Sequence, residues 1–259
     1  MSNPRQVPPH GAAKRRFGQN FLVDPGILAR IVKAARLTSG ERVIEIGPGR
    51  GALTRELIHS GAEIWAVEID RDLQADLANE FAEEEGFHLV GGDILQTRLA
   101  DITTAPFKVV GNLPYNISTV ILERLISERE LFTDAVLMFQ REVADRILAR
   151  ENTPDRGFLS VIAQAAFEIT KGFDIGPGAF RPQPKIWSSV VRLIPKEQNI
   201  FDRVEVRELV SKGFSQRRKM LRNNLTGLVG QASGIDLSRR AESLSLDEWQ
   251  ALAENAERL

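Results

Sequence analysis

Arg42-Val43-Ile44-Glu45-Ile46-Gly47-Pro48-Gly49-Arg50-Gly51 decides the fold, because a short β-branched run passes directly into a glycine-rich turn. Glycines at such a point permit a tight turn and let a ligand approach the backbone beside the N-terminus of a following helix. That helix is legible from Ala52 to Ser60, with Gly61 placed to stop it. Downstream the same alternation repeats. Glu63 to Ile69 reads as a strand and Asp72 to Phe81 as a helix, and Phe87 to Val90 and Phe107 to Val110 read as strands. Ser118 to about Ser127 follows as a helix, Ala135 to Phe139 as a strand and Glu142 to Ala149 as a further helix. Upstream, Asp24-Pro25 is an N-cap with proline at the first helical position, and Ile27, Leu28, Ile31, Val32 and Ala35 form one apolar face of a helix over roughly 25–37. Strands alternating with helices of about ten residues imply right-handed crossovers. The expected class is α/β, a doubly wound, mostly parallel sheet covered on both faces.

The chain has 259 residues, room for one or two domains. Beyond Asn152 the alternation gives way, through a Gly/Pro-rich segment from Gly176 to Pro184, to a strand-like Ser189 to Ile194 and then Pro195. From Phe201 no strand is evident, and Val210, Phe214, Leu221, Leu225 and Leu228 fall near one helical face. The expected division is a basic arm over 1–23, a sheet domain over 24–195 and a small helical domain over 196–259.

Apolar residues make up 42% and charged residues 27%, the balance of an ordinary globular protein. With no cysteine, disulfides, thiol nucleophiles and thiolate metal sites are excluded, and His10, His59 and His88 lack ligand spacing, so no metal is expected. No apolar run nears the roughly 18 residues of a membrane span, and the first sixteen residues lack the apolar stretch of a secretory signal. A cytoplasmic protein without a membrane partner, acting as a monomer, is expected. The net charge of -1 conceals a division. Arg5, Lys14, Arg15 and Arg16 lie in residues 1–23, and Lys212, Arg217, Arg218, Lys219 and Arg222 lie in 211–222, with no acid in either stretch. The rest of the chain holds 25 basic against 35 acidic residues, so an acidic body bears two compact cationic stretches. Such clusters are the footprint of polyanion binding.

Gly47, Glu68, Asp93 and Asn112 fall at the carboxyl ends of successive expected strands, where doubly wound sheets bind ligands. Gly47, Gly49 and Ala52 also satisfy a dinucleotide fingerprint with Glu68 as its acid, so a nicotinamide-dependent dehydrogenase is one reading. A carboxylate at Glu68 suits two vicinal ribose hydroxyls, and Asp93 suits an adenine amino group, so an adenosine pocket is expected. Asn112-Leu113-Pro114-Tyr115 is what the dehydrogenase reading leaves unexplained. The asparagine oxygen and a carbonyl of the Leu-Pro step can accept from an exocyclic amine, and the chain's single tyrosine can stack on the ring that carries it, which fits an extruded base.

Gln19 to Asp24, the Gly47 loop, Val67 to Asp70, Gly92-Asp93, Asn112 to Ser118, Phe180 through Pro184-Lys185, and Phe214 to Lys219 with Leu221-Arg222-Asn223 together resemble the rRNA adenine N6,N6-dimethyltransferase family. Within it they are similar to the small-subunit (16S) branch, over about residues 14 to 228. The resemblance implies a Rossmann-like class I methyltransferase fold with a small C-terminal helical domain. It implies S-adenosylmethionine as cofactor, held by Asn20, Leu22, Gly47, Glu68, Asp93 and Asn112. It places Asn112, Leu113, Pro114 and Tyr115 at the target adenine, with Phe180 closing on its other side. The implied partner is 16S rRNA in small-subunit ribosomal particles, with Lys14, Arg15, Arg16, Arg217, Arg218, Lys219 and Arg222 on its phosphates. Three rivals are the macrolide-resistance enzyme of 23S rRNA, which usually has isoleucine at the place of Leu113, the dehydrogenase, and an assembly checkpoint factor with weak catalysis. Two residues depart from the family pattern: Trp187, where an acid is usual, and Arg156, where a tyrosine is common.

Overall fold

Residues 19–228 and 234–256 are described by a computed structural model. In β2 (Arg42–Ile46) the side chains alternate between two apolar layers. Ile44 and Ile46 enter one buried cluster, and Val43 enters a second on the opposite face of the sheet. The same division recurs along the sheet, so both faces are covered and the central strands are mostly apolar. Around β2 stand β3 (Glu63–Glu68), β4 (Phe87–Gly91), β5 (Phe107–Asn112) and β6 (Phe132–Gln140), all parallel. Two further strands, β7 (Phe167–Ile175) and β9 (Ser188–Pro195), complete a seven-stranded sheet of order β4-β3-β2-β5-β6-β9-β7, with β9 antiparallel to both neighbours. Strand order reverses between β2 and β5, and that reversal opens a crevice at their carboxyl ends.

The helix α1 (Pro25–Ala35) starts where expected, because the Asp24 carboxylate accepts from Ile27 N at 3.0 Å and Pro25 occupies the first turn. With α2 (Ala52–His59) it covers the Val43 face, through Leu28, Ile31, Leu53 and Leu57. Below the other face and edge lie α3 (Arg71–Glu80), α4 (Ser118–Ser127) and α5 (Arg141–Ile147). The structure adds α6 (Phe158–Ala166) and β7, which run together without a turn. Nearly every side of α6 is buried.

The described residues also include part of the stretch expected as an arm. Phe21–Leu22 forms β1, paired antiparallel with β8 (Phe180–Arg181), and Val23 N donates to Ala179 O at 2.9 Å. Both apolar residues are buried, which a solvated arm could not provide. Beyond 195, α7 (Val204–Gly213), α8 (Leu221–Asn224) and α9 (Leu246–Glu254) pack on the sheet's α4 and α6 side. Val206, Leu209, Leu221 and the fully buried Trp249 belong to the same cluster as Leu125, Phe132 and Phe167. Arg129 reinforces the junction with a bidentate pair to Asp202, both contacts at 2.6 Å. Arg156 is buried too: it donates to the carbonyls of Ala149 and Leu244 and to Gln164, so it braces the C-terminal segment from inside and is not a substrate contact.

Candidate active site

Each strand-end residue enters the crevice because the turn that follows its strand exposes it. Gly47 has φ +69°, which an L side chain rarely adopts, and the nearest atom to an added Cβ would be Asn112 O at 3.9 Å. A side chain there would project into the crevice, so glycine keeps it open. Two hollows of about 190 and 420 Å³ lie on either side of the glycine turn and share Phe21, Gly47, Gly49 and Asn112 as lining. The first is lined by Asn20, Glu68, Asp93 and the whole Asn112-Leu113-Pro114-Tyr115 segment. Leu22 lines the second.

Glu68, only 5% exposed, has both oxygens anchored: Oε2 accepts from Gly49 N at 3.1 Å and Oε1 from Asp70 N at 2.9 Å. Burial raises its pKa above the ordinary carboxylate value, and the two backbone donors oppose that rise. One oxygen of Asp93 accepts from Leu95 N at 2.9 Å, so this residue caps its own turn while also lining the crevice. Phe21, Ile46, Val67, Ile69, Ile94 and Leu95 add an apolar wall that the charged positions did not announce. For Val67, Ile69 and Ile94 the signal was adjacency to Glu68 or Asp93. Two fixed acids above flat apolar walls suit a ribose and a purine.

Asn112 Nδ2 donates to Asn20 O at 3.0 Å. The amide oxygen is thereby the end left to face a ligand, the orientation following from the hydrogen-bond network. The Pro114 carbonyl accepts from Ile117 N at 3.1 Å, so within the Leu-Pro step it is the Leu113 carbonyl that is available. Tyr115 OH shares a 2.6 Å hydrogen bond with Ser188 Oγ, and burial raises its pKa, so it is a neutral phenol at physiological pH.

Phe180 lies elsewhere. It is fully buried in the cluster of Leu22, Leu28 and Val190, because β8 must pack its apolar side chain to pair with β1. It supports the strand that presents Asn20 to Asn112 and does not line the crevice. Among the basic positions, Arg217, Arg218, Lys219 and Arg222 are all exposed, and Arg217 also donates to the carbonyls of Pro154 and Arg156. Lys14, Arg15 and Arg16 lie outside the described residues.

Glu45, on β2 beneath the glycine turn, was missed because a strand acid between two isoleucines reads as an outward residue. It is buried, Thr54 Oγ1 donates to its Oε2 at 2.7 Å, and burial followed by the nearby Glu68 pushes its pKa up to about 8. A carboxyl raised on folding holds a proton that the unfolded chain releases, so stability falls as pH climbs from the ordinary 4.5 toward 8. The slope from one such group is at most about 1.4 kcal/mol per pH unit. Urea unfolding across pH 5–8 should show this slope in the wild type and lose it in Glu45→Gln; parallel curves would place an ionised acid at Glu45.

A family model described as ribosomal RNA adenine dimethylase matches residues 11–257. The chain is 43% identical over 251 residues to the ribosomal RNA small subunit methyltransferase A of Pseudomonas putida, covering 93% of this chain and 94% of that one. To the protein of the same name from Methylococcus capsulatus it is 43% identical over 249 residues, covering 93% and 96%. Among solved structures it is similar to a dimethyladenosine transferase from Plasmodium falciparum, with a TM-score of 0.77 and 26% identity over 91% of this chain and 99% of that chain. It is also similar to the 23S rRNA methyltransferase ErmE, with a TM-score of 0.71 and 25% identity over the same shares. With a family model spanning nearly its whole length and relatives 43% identical over nearly all of both chains, the chain belongs to the ribosomal RNA adenine dimethylase family and is a methyltransferase of the class I α/β fold.

Proposed function

We propose that the chain transfers methyl groups from S-adenosylmethionine to N6 of two adjacent adenosines in the 3′-terminal hairpin of 16S rRNA, giving N6,N6-dimethyladenosine during small-subunit maturation. The observation that carries this reading is the Asn112 amide, whose nitrogen is occupied by Asn20 O and whose oxygen is therefore a fixed acceptor beside the Leu113 carbonyl. The methyl donor, when bound, supplies a carbon already activated by a positively charged sulfur. Adenine N6 is a weak nucleophile because its lone pair is delocalised into the ring. Two acceptors gripping its hydrogens orient the amine so that this pair leaves conjugation and points at the methyl carbon, so positioning is the main work of the site. Glu68 accepts from the ribose hydroxyls of the cofactor, Asp93 from its adenine, and Gly47 lets it lie against the backbone. Tyr115, held by Ser188, stacks on the target ring. After transfer the N6 proton passes to water, so no side chain is asked to act as a strong base.

A duplex adenosine cannot reach this crevice, so the target is unpaired or flipped, and exposed cations hold the flanking backbone. Arg217 is exposed but also braces the Pro154 and Arg156 carbonyls, so the phosphate contacts that can be removed without loosening the fold are Arg218, Lys219 and Arg222. Their joint replacement by glutamine should lower the log-log salt slope of RNA binding by roughly 2–3, at about 0.7–0.9 per contact, and leave cofactor affinity unchanged. An unaltered slope in a folded variant would make this stretch a solvated face. The reading as a whole is tested by incubation with labelled methyl donor. Label should enter small-subunit particles; label in large-subunit particles alone would move the substrate to 23S rRNA.

A further inference from the structure

The loop before β9 ends in Ile186 and Trp187, which are 43% and 50% exposed, while Ser188 beside them is fully buried. Water-exposed indole is unusual in this chain: Trp249 is completely buried and Trp65 is half-buried in a stack with His88. The exposed indole is also seated. Its ring edge lies 3.6 Å from where a Cβ on Gly176 would stand, and its carbonyl accepts from Arg141 N at 2.9 Å. A held ring with a free face is a platform. Around it lie two cations, Arg141 and Lys185, and three acids, Glu142, Asp145 and Asp155, with Arg141 paired to Asp145. The patch therefore has flat apolar area to offer and no net cationic field for phosphate.

Its place in the fold states what crosses it. Asn112 pairs with Met138, Met138 pairs with Val190, and Ser188 lies two residues further toward the open end of the crevice. Trp187 thus stands at the carboxyl rim two strands across from Asn112, on the order of 10 Å laterally. Ser188 carries the hydroxyl that holds Tyr115. On the other side, Asp155 of the patch lies between Pro154 and Arg156, the two residues whose carbonyls Arg217 binds. The patch therefore bridges the target-base crevice and the basic stretch that begins at Arg217. Resting on the function proposed above, we infer that Trp187, backed by Ile186, is a nucleobase-stacking subsite that receives an unpaired base flanking the target adenosine. One RNA strand held at Arg218, Lys219 and Arg222 and inserted at Asn112 passes over this indole. Stacking uses the π face that every base has, so the subsite positions the strand without reading its sequence.

The test uses the full-length protein, small-subunit particles for kinetics and a hairpin RNA with two adjacent loop adenosines for binding. Trp187→Ala should raise the KM for particles roughly 5- to 150-fold, the range that follows from loss of one base stack, with kcat and cofactor affinity little changed. Trp187→Phe should restore most of the loss. Binding of the hairpin should quench tryptophan fluorescence in the wild type and not in Trp187→Phe, since Trp249 is buried and Trp65, stacked on His88, lines neither the crevice nor this patch. Replacing the flanking nucleotide with an abasic site should weaken the wild type and add nothing to Trp187→Ala. Equal KM values for wild type and Trp187→Ala would overturn the proposal, as would fully additive losses. Shielding of Trp187 by whole particles but not by hairpin RNA would also overturn it, in favour of a protein partner. Failure of the underlying function looks different: the wild type itself would then methylate no small-subunit RNA.

Discussion

Asn112→Ala should retain its fold and most of its RNA affinity while losing methyl transfer by about 10²–10³, the usual cost of removing one preorganised polar contact. Asn112→Asp is the sharper variant. It keeps an acceptor oxygen but replaces the Nδ2 donor with a second oxygen facing Asn20 O, where the wild type has a 3.0 Å hydrogen bond. Two oxygens at that distance repel, the side chain rotates, and Asp should rescue none of the Ala defect. Single-turnover assays on unmethylated and N6-monomethylated substrate separate the two transfers. The first methyl group removes one N6 hydrogen, so the second transfer proceeds with one acceptor contact fewer and leans more on Tyr115. Wild-type rates in Asn112→Asp would show that the link to Asn20 orients nothing.

Glu68→Ala should weaken S-adenosylmethionine binding by about 1.5–3 kcal/mol, the worth of hydrogen bonds to a charged group, or roughly 10- to 150-fold in Kd. The variant also frees Gly49 N and Asp70 N, which both donate to this carboxylate. Glu68→Gln keeps one acceptor and should fall between. Because burial raises the Glu68 pKa, the carboxylate is lost at a higher pH than an exposed glutamate would lose it. Cofactor affinity should therefore decline as pH falls from neutrality toward the ordinary carboxyl range, and Glu68→Gln should flatten that decline. Titration calorimetry at several pH values measures both effects; unchanged affinity in folded Glu68→Ala would remove this residue from the site.

The parallel half of the sheet was readable because each strand there is a short apolar run bounded by turn residues. The ligand end was readable because Gly47, Glu68, Asp93 and Asn112 recur at those boundaries. What escaped has physical causes. In α6 burial is nearly all round, so no charged outer face marks it, and its chain enters β7 without a break. β1 has two residues and exists only because β8, about 160 residues away, supplies its partner. Such long-range pairing has no local pattern. The same pairing explains Phe180, whose aromatic ring suited a base on paper but is consumed by the core beneath β1. Arg217 likewise looked like its exposed neighbours, and only the fold brings the Pro154 and Arg156 carbonyls within its reach.

Mass mapping of ribosomal RNA after incubation of the wild type with S-adenosylmethionine and undermethylated small-subunit particles tests the central claim most directly. The account predicts two methyl groups on N6 of each of two adjacent adenosines in the 3′-terminal hairpin, and none at either when Asn112 is replaced by aspartate. Methylation confined to 23S rRNA, or unaltered dimethylation by Asn112→Asp, would contradict it.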